Sequence, residues 1–297
     1  MRILITGGGG FIGAWLARRL AGRGHQIRVL EPIGCTAQFN RIVGTAAASV
    51  EWRIGDITET DVVRAVADGC DGIVHLAGVL TPACKADPVR GAMINLVGTL
   101  NVFNAALALG IKRIVFTSSA GVYGPDDDTT PLPITHYGTF KLACEGSARA
   151  YWEDHRIASV GFRPYIVYGF GRETGLTAGP SLACRAAARR EAYVIPYVGT
   201  AGLVFVDDVV AAYEAALRRE PDGAHVFNLP GEVVSNDEVV AAVRAVIPDA
   251  RIGIEGPVLP FAEDIGEGEL RRVFPDLPAT SLRDGIRRTI ELYRTNP

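Results

Sequence analysis

The chain has 297 residues, 48% hydrophobic and 21% charged, with a formal net charge of -3. This bounds it to one large or two small globular domains able to bury a sizeable core. The charge balance argues against a nucleic-acid partner. No apolar run of membrane-spanning length and no signal peptide are expected, so no membrane partner is either.

Residues 2–6, short, apolar and β-rich, predict a buried strand of a parallel sheet. Gly7 to Gly10 follow, then Phe11, Ile12 and Gly13, then a helical pattern over 14–22 with Trp15, Leu16 and Leu20 on one face. Strand, glycine-rich turn and helix in that order form the setting of a dinucleotide fingerprint. Gly7 permits the tight turn, Gly10 leaves room for a pyrophosphate, and Gly13 lets helix and sheet pack closely. The N–H groups of Phe11 and Ile12 would face the phosphates at the positive end of the helix. The plain alternative is a glycine-rich turn without a ligand.

Residues 26–30 predict a second strand ending at Glu31. A carboxylate there accepts hydrogen bonds from ribose hydroxyls and repels a 2′-phosphate, which favours NAD over NADP. Arg28 and Arg41 are the nearby cations that would favour the opposite choice. Residues 51–54 predict a third strand. Asp56 after it would accept from the adenine amino group or cap a helix over 58–67. A fourth strand, 72–76, holds His75, read as a core histidine, and leads to Ala77 and Gly78, small enough for a ribose to lie close. A long amphipathic helix, Pro88–Leu109, contains Asn95 and stops at Gly110. The fifth strand, 111–117, presents Ser118 and Ser119 at its C-terminal end, where open parallel sheets bind ligands. Alternating strands and helices predict a doubly wound α/β domain.

A Gly/Pro/Asp-rich loop, 124–135, precedes Tyr137-Gly-Thr-Phe-Lys141. One helical turn separates Tyr137 from Lys141, so they share a face of a helix over 137–154. A free tyrosine has a pKa of about 10, so phenolate chemistry at neutral pH needs positive charge nearby. Lys141 and an oxidised nicotinamide would supply it. Ser119 can hydrogen-bond the same substrate hydroxyl. The alternative is an amphipathic helix with an incidental tyrosine and lysine.

Residues 159–163 predict a sixth strand, and the Gly/Thr-rich loop 169–180 a substrate-side lid. A helix over 181–191 carries Arg185, Arg189 and Arg190, which would hold an anion or form a solvated basic face. Arg172 in the loop is the other anion candidate. Residues 203–208 lead into an alanine-rich helix, 225–229 predict a seventh strand, and 235–238 start a capped helix. Two short helical patterns fill 270–293. The five cysteines (Cys35, Cys70, Cys84, Cys144 and Cys184) are scattered, which suits reduced cytoplasmic thiols and predicts neither metal site nor disulfide.

Taken together, the chain resembles the extended short-chain dehydrogenase/reductase family, in the NAD-dependent epimerase/dehydratase group that includes UDP-glucose 4-epimerase. The carrying residues are Thr6 to Gly13, Gly55-Asp56-Ile57, His75 to Gly78, Asn95 with Gly98-Thr99, Thr117-Ser118-Ser119 through Val122-Tyr123-Gly124, Tyr137 to Lys141, and Arg163-Pro164 with Val167-Tyr168-Gly169. The resemblance implies Tyr137 as acid/base, Lys141 on the nicotinamide ribose and Ser119 as the orienting hydroxyl, with Ser118 lining the same site. It further implies cofactor contacts from Asp56, Ile57, Leu76, Ala77, Gly78, Asn95, Thr117, Tyr137, Lys141 and Pro164. It also suggests a homodimer through the helices Pro88–Leu109 and 137–154.

The implied architecture is a Rossmann-type doubly wound parallel sheet over 1–166, rejoined by 203–230. A small, discontinuous substrate domain would comprise 167–202 and 231–297. Nucleotide-sugar members usually carry asparagine where Ile166 stands and arginine where Ala201 aligns. Their replacement weakens a UDP-sugar assignment and favours a free sugar, a sugar acid or another small hydroxyl compound, or a rearranged diphosphate site using Arg172 or Arg185. The leading expectation is an NAD-dependent epimerase/dehydratase-type oxidoreductase acting on a sugar or nucleotide-sugar carbinol. The alternatives are a simple NAD-dependent dehydrogenase and, in another class, a non-catalytic NAD-binding regulator.

Overall fold

A computed structural model describes residues 1–125, 129–219, 222–259 and 262–296. The first half of the chain runs β1 (Arg2–Thr6), α1 (Phe11–Gly22), β2 (Gln26–Glu31), α2 (Ala37–Val43), β3 (Glu51–Ile54), α3 (Thr60–Ala67), β4 (Gly72–His75), α4 (Thr81–Ala86), α5 (Pro88–Ala92), α6 (Gly98–Leu109), β5 (Ile114–Thr117), α7 (His136–His155) and β6 (Ser159–Pro164). The second half adds β7 (Ile166–Tyr168), α8 (Gly179–Arg189), β8 (Tyr193–Ile195), β9 (Thr200–Phe205), α9 (Val206–Arg218), β10 (Ala224–Leu229), β11 (Glu232–Ser235), α10 (Asn236–Val246), β12 (Ile252–Ile254), α11 (Leu270–Val273) and α12 (Leu282–Thr295).

Successive side chains on a strand point to opposite faces. Ile3 and Ile5 therefore join one core with Trp15 and Leu16 of α1 and Val209 of α9. Leu4 joins the other, with Val63, Val102, Phe103 and Ala148 of α3, α6 and α7. Helices cover both faces, which is why the central strands β1, β4 and β5 read as nearly unbroken apolar runs. Full burial of each such side chain contributes about 1.5–3 kcal/mol. The resulting sheet has seven parallel strands in the order β10-β6-β5-β4-β1-β2-β3. Chain direction across the sheet reverses between β1 and β4, which opens a crevice at their C-terminal ends.

Two smaller sheets, β11-β9-β7 and β12-β8, pack with α8, α10 and α12. Residues 203–205 belong to β9 and so lie in the second sheet. The return to the main sheet is made by α9, which packs on α1, and by β10.

Two expectations are corrected. The helix predicted over 58–67 starts at Thr60 with Glu59 at its N-cap, so Asp56 does not cap it. Pro88–Leu109 is a 22-residue helical run long and apolar enough to cross a bilayer by composition, contrary to the sequence expectation. In the fold it packs against α3 and α7 and turns Asn95, Thr99 and Asn101 inward. It also contains a π-helical turn, Met93–Val97. Of the predicted loop 124–135, residues 126–128 lie outside the described residues.

Candidate active site

β1 delivers the glycine turn to the crevice. Gly7 turns at φ +70°, a conformation glycine adopts without strain. A Cβ there would stand 2.6 Å from the Ala77 nitrogen, and one on Gly13 would stand 2.5 Å from Gly7 O and from Gly8 Cα. Gly10 differs: a Cβ would meet only Gly7 O, at 3.4 Å, so the outer side of the turn is open. α1 begins at Phe11 with no side-chain cap, which leaves the first N–H groups, including those of Phe11 and Ile12, for an anion. An open cradle at an uncapped helix start fits a dinucleotide pyrophosphate.

The Glu31 carboxylate accepts the Gly9 N–H at 2.8 Å, which holds it over the turn. Burial raises its pKa, and hydrogen bonds from Gly9 and Gly10 act the other way. The two arginines that would have favoured a 2′-phosphate are engaged elsewhere. Arg28 donates to Glu51 at 2.9 Å and to the carbonyls of Val66 and Asp68 at 2.7 Å each. Arg41 donates to Glu173 at 2.8 Å.

Asp56 accepts from Thr58 N–H and Oγ1, both at 2.9 Å, and from Arg90 at 2.7 Å. The Arg90 hydrogen bond, then that from the Thr58 N–H, lowers its carboxyl below the usual range. Ile57 is buried, and its carbonyl accepts from Asn101 at 3.0 Å. Leu76 and Ala77 lie against Gly7 across the crevice.

His75 is a core residue, as its strand position suggested. Its Nδ1 is 2.6 Å from Thr6 Oγ1 and its Nε2 3.0 Å from Thr99 Oγ1. Burial, aided by the Lys141 charge, pulls its pKa down to about 3.

β5 and α7 bring the catalytic candidates together. Thr135 caps α7 by accepting the Gly138 N–H at 3.0 Å, which fixes where the helix starts and therefore where Tyr137 points. Lys141, one turn on, is buried and donates to Thr117 O at 2.9 Å, while Thr117 Oγ1 lies 2.9 Å from Tyr213 OH. The Lys141 ammonium sits 5.7 Å from the Tyr137 ring centroid. Ser119 Oγ accepts the Gly121 N–H at 3.0 Å. A Cβ on Gly121 would lie 3.3 Å from Ser119 Oγ and 3.7 Å from the Tyr137 ring, so serine and phenol flank one point.

A Cβ on Gly78 would lie 2.6 Å from Asn95 Oδ1 and 3.5 Å from Lys141 Nζ. Asn95 Nδ2 donates to Val79 O and Gly91 O, both at 3.1 Å, and to Cys84 Sγ at 3.3 Å, whereas its buried Oδ1 has no partner among the described residues. That orphaned oxygen and Lys141, both close to Gly78, with Pro164 buried at the end of β6, would fit the nicotinamide side of a dinucleotide.

Two substrate candidates point elsewhere. Ser118 is buried and donates to Glu145 inside the protein, because adjacent residues at a strand end face opposite ways. Arg185 lies 3.6 Å from Glu173, the loop carboxylate that also pairs with Arg41. Arg189 and Arg190 are exposed. Arg172 is partly buried, and the titratable groups within electrostatic range of its guanidinium are Tyr197 and Tyr137.

Sequence reading missed the network behind Ser119. Arg163 donates to Glu145 twice, at 2.8 and 2.6 Å, and to Tyr123 OH at 2.6 Å. Tyr123 OH donates to Asn228 Oδ1 at 3.1 Å, and Asn228 Nδ2 donates to Ile265 O at 2.6 Å. Burial lowers the Arg163 pKa, but the Glu145 hydrogen bond and charge outweigh it and the net shift is upward. The available signal was Glu145 standing one turn beyond Lys141 on the same helix.

The NAD dependent epimerase/dehydratase family matches residues 3–229. A UDP-glucose 4-epimerase of Mycolicibacterium smegmatis is 29% identical, with 99% of each chain covered. A 3 beta-hydroxysteroid dehydrogenase/Delta 5-->4-isomerase of Mycobacterium tuberculosis is 35% identical over 189 residues, 58% of this chain and 49% of that one. The crystal structure of a Thermus thermophilus UDP-glucose 4-epimerase in complex with NAD has a TM-score of 0.84 at 23% identity over 99% of each chain, a likeness of fold.

Proposed function

Because the chain belongs to the NAD dependent epimerase/dehydratase family, with NAD as its cofactor, we propose that it oxidises a carbinol of a sugar-like substrate at Ser119, Tyr137 and Lys141. The observation that carries this reading is the convergence of the three side chains beside the glycine turn. Ser119 Oγ and the Tyr137 ring flank one point, and the Lys141 ammonium lies 5.7 Å from the ring centroid.

In this mechanism Ser119 holds the substrate hydroxyl by a hydrogen bond. Tyr137, as phenolate, accepts the hydroxyl proton while the carbinol C–H leaves as hydride, so the carbinol becomes a ketone with loss of two electrons. NAD, when bound, supplies the hydride acceptor. Lys141, anchored on Thr117 O, keeps positive charge beside the phenol. Glu31 and the Phe11 and Ile12 N–H groups hold the ribose and phosphates.

Return of hydride to the other face would give an epimer, and release of the ketone a dehydrogenase. The relatives named as UDP-glucose 4-epimerases favour the first. Ile166 and Ala201, buried in β7 and β9, favour a substrate without a nucleotide diphosphate and hence the second. A homodimer through α5, α6 and α7 belongs to the same proposal. Val89, Met93 and Leu107 are exposed on that side, and sedimentation velocity reads the mass.

The test is Tyr137→Phe assayed over free sugars, sugar acids and nucleotide sugars. Turnover is expected to fall about 10²–10⁴-fold, far more than NAD affinity does. Stoichiometric NADH identifies a dehydrogenase, and epimer without NADH an epimerase. Wild-type turnover by the variant would refute the assignment.

A further inference from the structure

The lid after β7 carries two charges with opposite fates. Glu173 is neutralised twice, by Arg41 at 2.8 Å and Arg185 at 3.6 Å. Arg172, its neighbour in sequence, pairs with no carboxylate among the described residues. Its guanidinium donates to Val167 O and, at 2.6 Å, to Thr177 Oγ1. A guanidinium has five N–H donors in a planar fork, so three remain. Burial lowers the Arg172 pKa to about 10, and the neighbouring phenols of Tyr197 and Tyr137 oppose that shift. A half-sequestered cation without a counter-charge is costly, and a ligand anion removes the cost.

A second observation points to the same place. Tyr197 is only 2% exposed, and its hydroxyl has no hydrogen-bond partner among the described residues. Arg172 is the first of the charges that act on it. The hydroxyl stands 3.4 Å from where a Cβ on Gly179 would be, at the start of α8, so α8 walls off that side. An arginine without a carboxylate partner and an unpartnered buried hydroxyl thus lie within electrostatic range of each other, and the arginine within range of the phenol assigned to proton transfer. Planar forks of N–H donors match a carboxylate best.

We infer that Arg172 and Tyr197 recognise a carboxylate on the substrate, so that the enzyme acts on a hydroxy acid of sugar size. This rests on the reading of Tyr137 as the group that meets the reacting carbinol. Arg172 is then a specificity residue: it holds the acid group while Ser119 and Tyr137 hold the hydroxyl. The apolar Ile166 and Ala201, 2% and 5% exposed within the second sheet, add no other anion contact.

The experiment is calorimetry on the NAD-loaded full chain, which reads binding independently of turnover. The probes are D-glucuronate, D-gluconate, D-glucose, D-glucose 6-phosphate and UDP-glucose. At least one carboxylate probe is expected to bind at least tenfold tighter than D-glucose. Arg172→Gln should weaken it by about 30- to 100-fold, the scale of a lost charge-assisted hydrogen bond, with D-glucose and NAD affinity unmoved. Tyr197→Phe should weaken it by a smaller factor. Arg172→Lys, which keeps the charge but not the fork, should fall between, and unchanged NAD affinity establishes that each variant is folded. The inference is overturned if neither acid binds tighter than D-glucose, if Arg172→Gln leaves acid affinity unchanged, or if the phosphate or UDP-sugar probe binds tightest. Wild-type turnover by Tyr137→Phe would overturn the catalytic reading instead, and calorimetry separates the two failures.

Discussion

Removing the Glu145 carboxylate tests whether the buried network holds the site in place. The side chains of Glu145 and Arg163 are 7% and 15% exposed. Arg163 donates to both carboxylate oxygens, and Ser118 donates to one of them. Glu145→Ala would leave the guanidinium, among the described residues, with only Tyr123 OH at 2.6 Å and Asn228 Oδ1 at 3.5 Å as acceptors. An uncompensated buried charge of this kind costs about 3–5 kcal/mol. Replacing both partners by apolar groups, as Glu145→Leu with Arg163→Met, should cost far less than the sum of the single changes, because no charge is then stranded. Urea unfolding at constant m gives each free energy. Ser118 precedes Ser119, so kcat should fall in Glu145→Ala even where the protein stays folded. A loss below about 1 kcal/mol for Glu145→Ala, within the ordinary range of a surface pair, would refute the reasoning, as would simple additivity in the double variant.

Two further outcomes follow from the same geometry. Gly13→Ala puts a Cβ 2.5 Å from the backbone of Gly7 and Gly8, which cannot swing aside as a side chain can. Thermal unfolding should register a loss of about 1–3 kcal/mol, and NAD titration a loss of affinity. Gly22→Ala in the same helix meets nothing within 4 Å and should be neutral or stabilising. His75 has its folded pKa pulled from 6.5 to about 3. Below pH 6.5 the unfolded chain takes up a proton that the folded chain refuses, so stability is full above 6.5 and is lost as pH falls toward 3. The loss is about 1.4 kcal/mol per pH unit within that window. Equilibrium unfolding at neutral and acid pH should give a shallower slope in His75→Gln, and identical slopes would contradict the assignment.

Local sequence settled whatever depends on neighbours along the chain. The strand, glycine turn and helix of residues 2–22 specify their own backbone, because a tight turn and a close helix approach need missing Cβ atoms at fixed spacings. Tyr137 and Lys141 share a face because a helix repeats about every 3.6 residues. The parallel sheet was legible because its central strands β1, β4 and β5, covered on both faces, are almost wholly apolar.

Contacts between distant segments were not legible. Asp56 is claimed by Thr58 and by Arg90, 34 residues on. Ser118 and Ser119 look interchangeable in sequence, and only the packing of α7 against β5 and β6 turns one toward Glu145 and leaves the other beside Tyr137. Arg172 and Arg185 were both anion candidates in sequence, Arg172 slightly the better, and the fold separates them. Glu173 pairs with Arg185 and Arg41, whereas Arg172 donates to Val167 O and Thr177 Oγ1 and meets no carboxylate among the described residues. Charge pairing is chosen by whichever groups the fold brings within a few ångströms, and spacing along the chain does not encode that choice.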